Sequence, residues 1–91
     1  MAEFQVVDWL AKQMAVDPSS VALFSLYKGP SLRAYYRAAG QSVLVILKAT
    51  PDPEKPAEFI WSVRARHNTG ARMVIGETVS KERPVLSPGN E

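Results

Sequence analysis

The spacing of apolar positions changes several times along this chain, and each change marks an element. Phe4, Val7, Leu10, Ala11 and Met14 recur at helical intervals with Asp8 and Lys12 on the opposite side, which predicts an amphipathic helix over residues 3–15. Asp17-Pro18-Ser19-Ser20 fits two structures, an N-cap with proline at the first helical position or a type I turn. Val21 to Tyr27 is rich in residues that suit strands, and Lys28-Gly29-Pro30 breaks whatever precedes it. After Ser31, a candidate cap, Leu32, Tyr35, Tyr36 and Ala39 share one helical face and Arg33 and Arg37 the other. A short helix ending at Gly40 is the expectation there.

Residues 42–49 are too short and too branched for a buried helix and predict a strand. Val43, Val45 and Leu47 point one way and Leu44 and Ile46 the other, so both faces are apolar until Lys48. Such a strand is central, or its second face is an interaction surface. The proline-rich stretch from Pro51 to Pro56 reads as a polar connector. Two further strands, Glu58 to His67 and Ala71 to Ser80, are joined through Asn68-Thr69-Gly70, a hairpin signal. Lys81 to Glu91 holds little apolar material. The expected organisation is one α+β domain over 1–82 and a flexible C-terminal tail over 83–91.

Charge adds an asymmetry. The 91 residues carry a net charge of only +2, yet Lys28, Arg33, Arg37 and Lys48 fall in a stretch without acids, and Arg64, Arg66 and Arg72 in another. Basic and acidic stretches therefore alternate, which suits an anionic partner or simply a solvated face. The absence of cysteine excludes disulfides, thiolate nucleophiles and cysteine-ligated zinc. No apolar run approaches the roughly 20 residues that span a bilayer, and Met1-Ala2-Glu3-Phe4 lacks the features of a signal peptide. A cytoplasmic or otherwise intracellular setting, with no membrane partner, is the expectation.

Val6, Leu10, Val16 and Pro18, then Leu26-Tyr27-Lys28-Gly29, Leu32 and Tyr35, and finally Val43, Val45 and Leu47 form a longer pattern. It resembles the ubiquitin-like β-grasp family in circularly permuted order, with the helix first and the hairpin last. In that family a hairpin precedes the helix; here Trp61, Val63 and Ala65 before Gly70, with Met73 and Ile75 after it, look like that hairpin moved to the C-terminus. The resemblance implies that strands 42–49 and 58–67 run parallel, so the connector from Ala49 to Ala57 must travel back along a strand. Nine extended residues reach about 30 Å, enough for a short strand although fewer than a parallel crossover usually takes. Residue spacing departs from the family before Leu26 and between Leu32 and Tyr35. The alternative α+β arrangement packs helices on a three-stranded antiparallel meander of 42–49, 58–67 and 71–80.

Enzyme chemistry finds no support in these residues. His67 is the single histidine, no phosphate loop or nucleophile motif accompanies it, and Asp52 and Glu54 sit among prolines where preorganisation lacks rigid support. Neither a metal site nor a cofactor is expected. Lacking a terminal Gly-Gly, the chain does not look like a conjugated modifier. The expected role is a non-catalytic protein-interaction module or small regulator, with another protein as partner and a homo-oligomer open. In the ubiquitin-like arrangement Leu26 joins Leu44 and Ile46 on an aliphatic sheet face, rimmed by Lys28 and Lys48. The alternative is nucleic-acid binding by Arg33, Arg37, Arg64, Arg66 and Arg72, with Tyr35, Tyr36 and Trp61 as candidate stacking platforms. By spacing, Tyr35 and Trp61 also fit core positions.

Overall fold

A computed structural model describes residues 3–69 and 73–87. The helix predicted from the N-terminal periodicity forms as α1, Val6–Met14, preceded by a two-residue strand β1, Phe4–Gln5. Val6, Val7, Leu10 and Ala11 are buried, while Asp8 and Lys12 face water. The helix stops at Ala15, which takes a left-handed conformation (φ 57°, ψ 46°). Val16 N–H then donates to the Ala11 carbonyl at 3.0 Å, closing the helix end in a Schellman-type turn. Both readings of Asp17-Pro18 contain part of the outcome. Asp17 caps a single 3₁₀ turn, Pro18–Ser20, by accepting the Ser19 N–H at 2.9 Å.

The remaining chain is an antiparallel meander. Strands β2 (Ala22–Lys28), β3 (Leu32–Ala38), β4 (Gln41–Pro51), β5 (Phe59–His67) and β6 (Val74–Ser80) pair in sequence order, each with its predecessor. The chain is thus α+β, with a single α-helix among the described residues on one face of a five-stranded sheet. A separate short strand β7, Pro84–Val85, runs parallel to β1.

Three expectations need correction. Residues 31–40 are a strand and a turn, not a helix. Leu32, Ala34, Tyr36 and Ala38 alternate inward and Arg33, Tyr35 and Arg37 outward, a period of two that becomes visible once alanine is counted as apolar. The Ala39-Gly40 pair that resembled a helix stop is a two-residue hairpin loop, with φ of 52° and 72°, the sign pattern of a type I′ turn. Second, β4 and β5 are antiparallel, from Val43 opposite His67 to Pro51 opposite Phe59, whereas the permuted β-grasp arrangement requires them to be parallel. The connector is a hairpin loop. Asp52, 4% exposed, closes it by accepting the Glu54 N–H at 2.9 Å and donating its own N–H to the Glu58 carbonyl at 2.9 Å, and Lys81 Nζ stands 3.6 Å from its carboxylate. Antiparallel strands need only such a short link, whereas a parallel crossover needs a dozen residues or more. The alternative meander of three strands is present, extended by β2 and β3.

Third, the segment after Ser80 does not fray at once. Beyond the β1–β7 pairing, Phe4 N–H donates to the Arg83 carbonyl at 3.3 Å, and Leu86 packs against the core. The Leu86 carbonyl accepts the Tyr36 hydroxyl proton at 2.6 Å. Residues 88–91 of the expected tail lie outside the described residues, as do Gly70 of the predicted hairpin turn and the first two residues of the predicted last strand.

The core lies between α1 and one face of the sheet. Val6, Leu10, Tyr36, Val43, Val45, Leu47 and Val63 are its largest fully buried side chains. At roughly 1.5–3 kcal/mol for each fully buried apolar side chain, this layer supplies the main stabilisation of a chain without disulfides. Gly76 on β6 leaves room for the Gln13 side chain of the helix, since a Cβ there would lie 2.5 Å from the mobile Gln13 Oε1.

Candidate functional site: the helix-free face of the sheet

Cross-strand partners share a face, so the register assigns every strand residue to the helix side or to the open side. Val43, Val45 and Leu47 face the helix, which puts Leu44 and Ile46 on the open side. Their neighbours there are Tyr35 and Arg66 beside Leu44, and Arg33 and Arg64 beside Ile46. The next positions along these strands add Arg37 and Ser42 at one end and Lys48 and Ser62 at the other.

The aliphatic site expected from the sequence is therefore divided. Leu26 pairs with Ala34, and Lys28 with Leu32, so both fall on the helix side, away from Leu44 and Ile46. The cause is a bulge at Phe24, between Leu23 and Ser25, which reverses the alternation for the rest of β2. Leu26, on the edge strand, is 43% exposed, whereas Leu44 is only 8% exposed. Lys48 does lie on the open face.

By contrast, four of the five arginines of the alternative site come together there: Arg33, Arg37, Arg64 and Arg66. Arg72 lies outside the described residues. Of the proposed stacking residues, Tyr36 is buried in the core and Trp61 faces the helix side, half-buried against it. Tyr35, which the spacing offered as a core residue, instead lies half-buried on the open face. Two aromatic residues were missed. Phe24 is 61% and Tyr27 52% exposed, and each carries an arginine: Arg37 lies 5.4 Å from the Phe24 ring centroid and Arg33 5.8 Å from that of Tyr27, within cation–π range. The sequence held a signal for them in Arg33 and Arg37, but only the β2–β3 pairing brings ring and cation together.

Among the described residues the open face thus carries Arg33, Arg37, Lys48, Arg64 and Arg66 against one acid, Glu77, which touches Arg64 at 3.4 Å across β5 and β6. Both partners of this pair are more than half exposed, so it holds Arg64 only weakly. Because the whole chain is only +2, the rest of the molecule is net acidic and the cations are segregated. A shallow groove of about 460 Å³ runs beside them, lined in part by Ile46, Lys48, Ser62, Arg64, Glu77 and Val79. Its cations and hydroxyl can hold an anionic group.

Elsewhere, hydrogen bonds from the backbone and then the side chain of Ser19 hold the Asp17 carboxyl below its ordinary pKa, in keeping with its capping role. Among the described residues no three His, Cys, Asp or Glu side chains gather where they could hold a metal, and no helix is long and apolar enough to cross a membrane. Comparison of the chain with protein-family models, with curated proteins and with solved structures gives no match.

Proposed function

We propose that this chain is a non-catalytic binding module whose helix-free sheet face holds a polyanionic partner. One observation carries the reading: among the described residues five cations drawn from three adjacent strands share a face with a single acid, in a chain whose other residues sum to a net negative charge. Like charges gathered this closely raise the local potential and speed capture of an anion. Leu44 and Ile46 act as the floor beneath the arginines and not as an exposed docking patch. Descent from the ubiquitin-like family is not needed for this function, which rests on the face alone.

The test is retention on a heparin column at low salt, comparing wild type with Arg64→Ala/Arg66→Ala and with Lys12→Ala/Lys55→Ala, which removes the same charge elsewhere. Earlier elution of the first variant alone supports the proposal. Equal shifts in both variants would reduce the effect to net charge, and flow-through of the wild type would end the reading.

A further inference from the structure

We infer that the polyanion is single-stranded nucleic acid, held by bases stacking on Phe24, Tyr27 and Tyr35 while Arg33, Arg37, Arg64, Arg66 and Lys48 take the phosphates. The inference rests on the polyanion-binding reading and adds to it the identity of the partner. Charge alone would serve heparin, polyphosphate or an acidic protein equally well. What separates nucleic acid is the interleaving of rings and cations on one open sheet face.

Phe24 and Tyr27 are large apolar rings left more than half exposed, on the strand next to Arg33 and Arg37. Sugar C–H faces and occasional peptide side chains can also pack on such rings, but only nucleic acid offers a flat π-face at every unit of the chain together with a phosphate beside it. The arginine over each ring restrains both groups before any ligand arrives, so less side-chain freedom is lost on binding. Either the ring or the guanidinium plane can then receive a base, the arrangement by which unpaired bases are held on sheet platforms.

Geometry favours a single strand over a duplex. Arg33 and Arg64 flank Ile46, two strand spacings apart, or roughly 10 Å, and Arg33 and Arg37 are four residues apart along β3, or roughly 13 Å. These separations describe a low plateau with rings on one side and cations across its breadth. A duplex keeps its bases stacked on each other and would leave Phe24 and Tyr27 without partners. A strand lying from β2 toward β5 sets bases over the rings of β2 and β3 and phosphates against Arg33 and Arg37 beside those rings, then against Arg64, Arg66 and the groove beside Lys48 and Ser62.

The experiment measures fluorescence anisotropy with labelled single-stranded DNA of mixed sequence and about a dozen nucleotides, within the range of such sites. The competitors are the same sequence as a duplex, an abasic strand of equal length, and heparin. Variants are Phe24→Ala, Tyr27→Ala and Arg64→Ala/Arg66→Ala, each checked by its melting curve. The inference predicts that the base-bearing strand outcompetes the abasic one, and that each ring truncation weakens it at least about fivefold, the lower end for loss of one stacked base, with abasic and heparin binding unchanged. Equal affinity for base-bearing and abasic strands, with no effect of ring truncation, would overturn the nucleic-acid inference and leave the polyanion reading standing. An acidic protein surface would then be the partner class to pursue. No binding of any of these anions at low salt would remove both.

Discussion

Tyr36→Phe removes one oxygen from the centre of the core and tests what holds the segment after Ser80. The Tyr36 side chain is fully buried on β3, and its hydroxyl donates to the Leu86 carbonyl at 2.6 Å, fifty residues away in sequence. A phenylalanine fills the same space, so the packing of the ring survives and only the hydrogen bond is lost. A bond of this kind contributes about 0.5–1.5 kcal/mol net, and a carbonyl left buried without a partner costs roughly 1–3. Since this bond is only partly buried, the expected loss is about 1–2 kcal/mol. For a domain of this size that lowers the melting temperature by roughly 5–15 °C. Hydrogen exchange at the Phe4 amide, bonded to the Arg83 carbonyl, should accelerate as the terminal pairing loosens.

The same residue gives a pH signature. Burial pushes the Tyr36 hydroxyl above its ordinary pKa of 10.0, because the charged form has no water around it. A folded-state pKa raised above the unfolded one means that the contribution is complete below pH about 10 and is lost as pH rises from there toward the folded value. Within that window wild type should lose up to about 1.36 kcal/mol per pH unit that the phenylalanine variant does not lose. The two stability curves should therefore converge above pH 10. A variant that melts within a degree or two of wild type at neutral pH, or a gap that stays constant through pH 11, would refute this account of the terminal segment.

Further predictions concern the turn, the two sides of β4 and the open face. Ala39 holds a positive φ of 52°, so Ala39→Gly should raise stability by about 0.5–1 kcal/mol in urea unfolding. No gain would mean that the turn is unstrained. Val45→Asp buries an unpaired charge at a fully buried position and should abolish the cooperative melt. Ile46→Asp, half-buried between Arg33 and Arg64, should fold and instead weaken anion binding, which near-equal melting losses in the two variants would contradict. If all five cations contact a single strand, the logarithm of affinity should fall with the logarithm of salt at a slope near −3.5, about a hundredfold between 50 and 200 mM. A slope near zero would remove the phosphates from the site.

Where periodicity and burial coincide, the elements can be read from the residues alone. The N-terminal helix, the inward set Val43, Val45 and Leu47, and the β5–β6 pair are of this kind, since one face of each meets the core. The stretch from Leu32 to Ala38 is ambiguous in sequence because two tyrosines and two alanines satisfy a helical and an alternating pattern equally, and Ala39-Gly40 terminates either one. Only pairing with β2 and β4 decides between them. Leu26 departs from its expected face for a different reason: the bulge at Phe24 inserts one residue, and no local signal marks it. Arg33, Arg37, Arg64 and Arg66 were readable as candidates, but their common face is a property of register, which is set by partners far along the chain.

The parallel pairing of β1 with β7 has a consequence for the order in which the protein is made. Neighbours in the sheet are neighbours in sequence, so β2 to β6 can zip together as they leave the ribosome. The helix cannot. It precedes every strand of the sheet, yet part of its packing is against β6 and β7, which are synthesised last of the described elements. At translation rates of about 5–20 residues per second, its apolar stripe of Val6, Val7 and Leu10 waits on the order of 4–15 s for the last of its cover. During that interval the nascent chain presents an amphipathic segment whose apolar stripe the half-built sheet covers only in part.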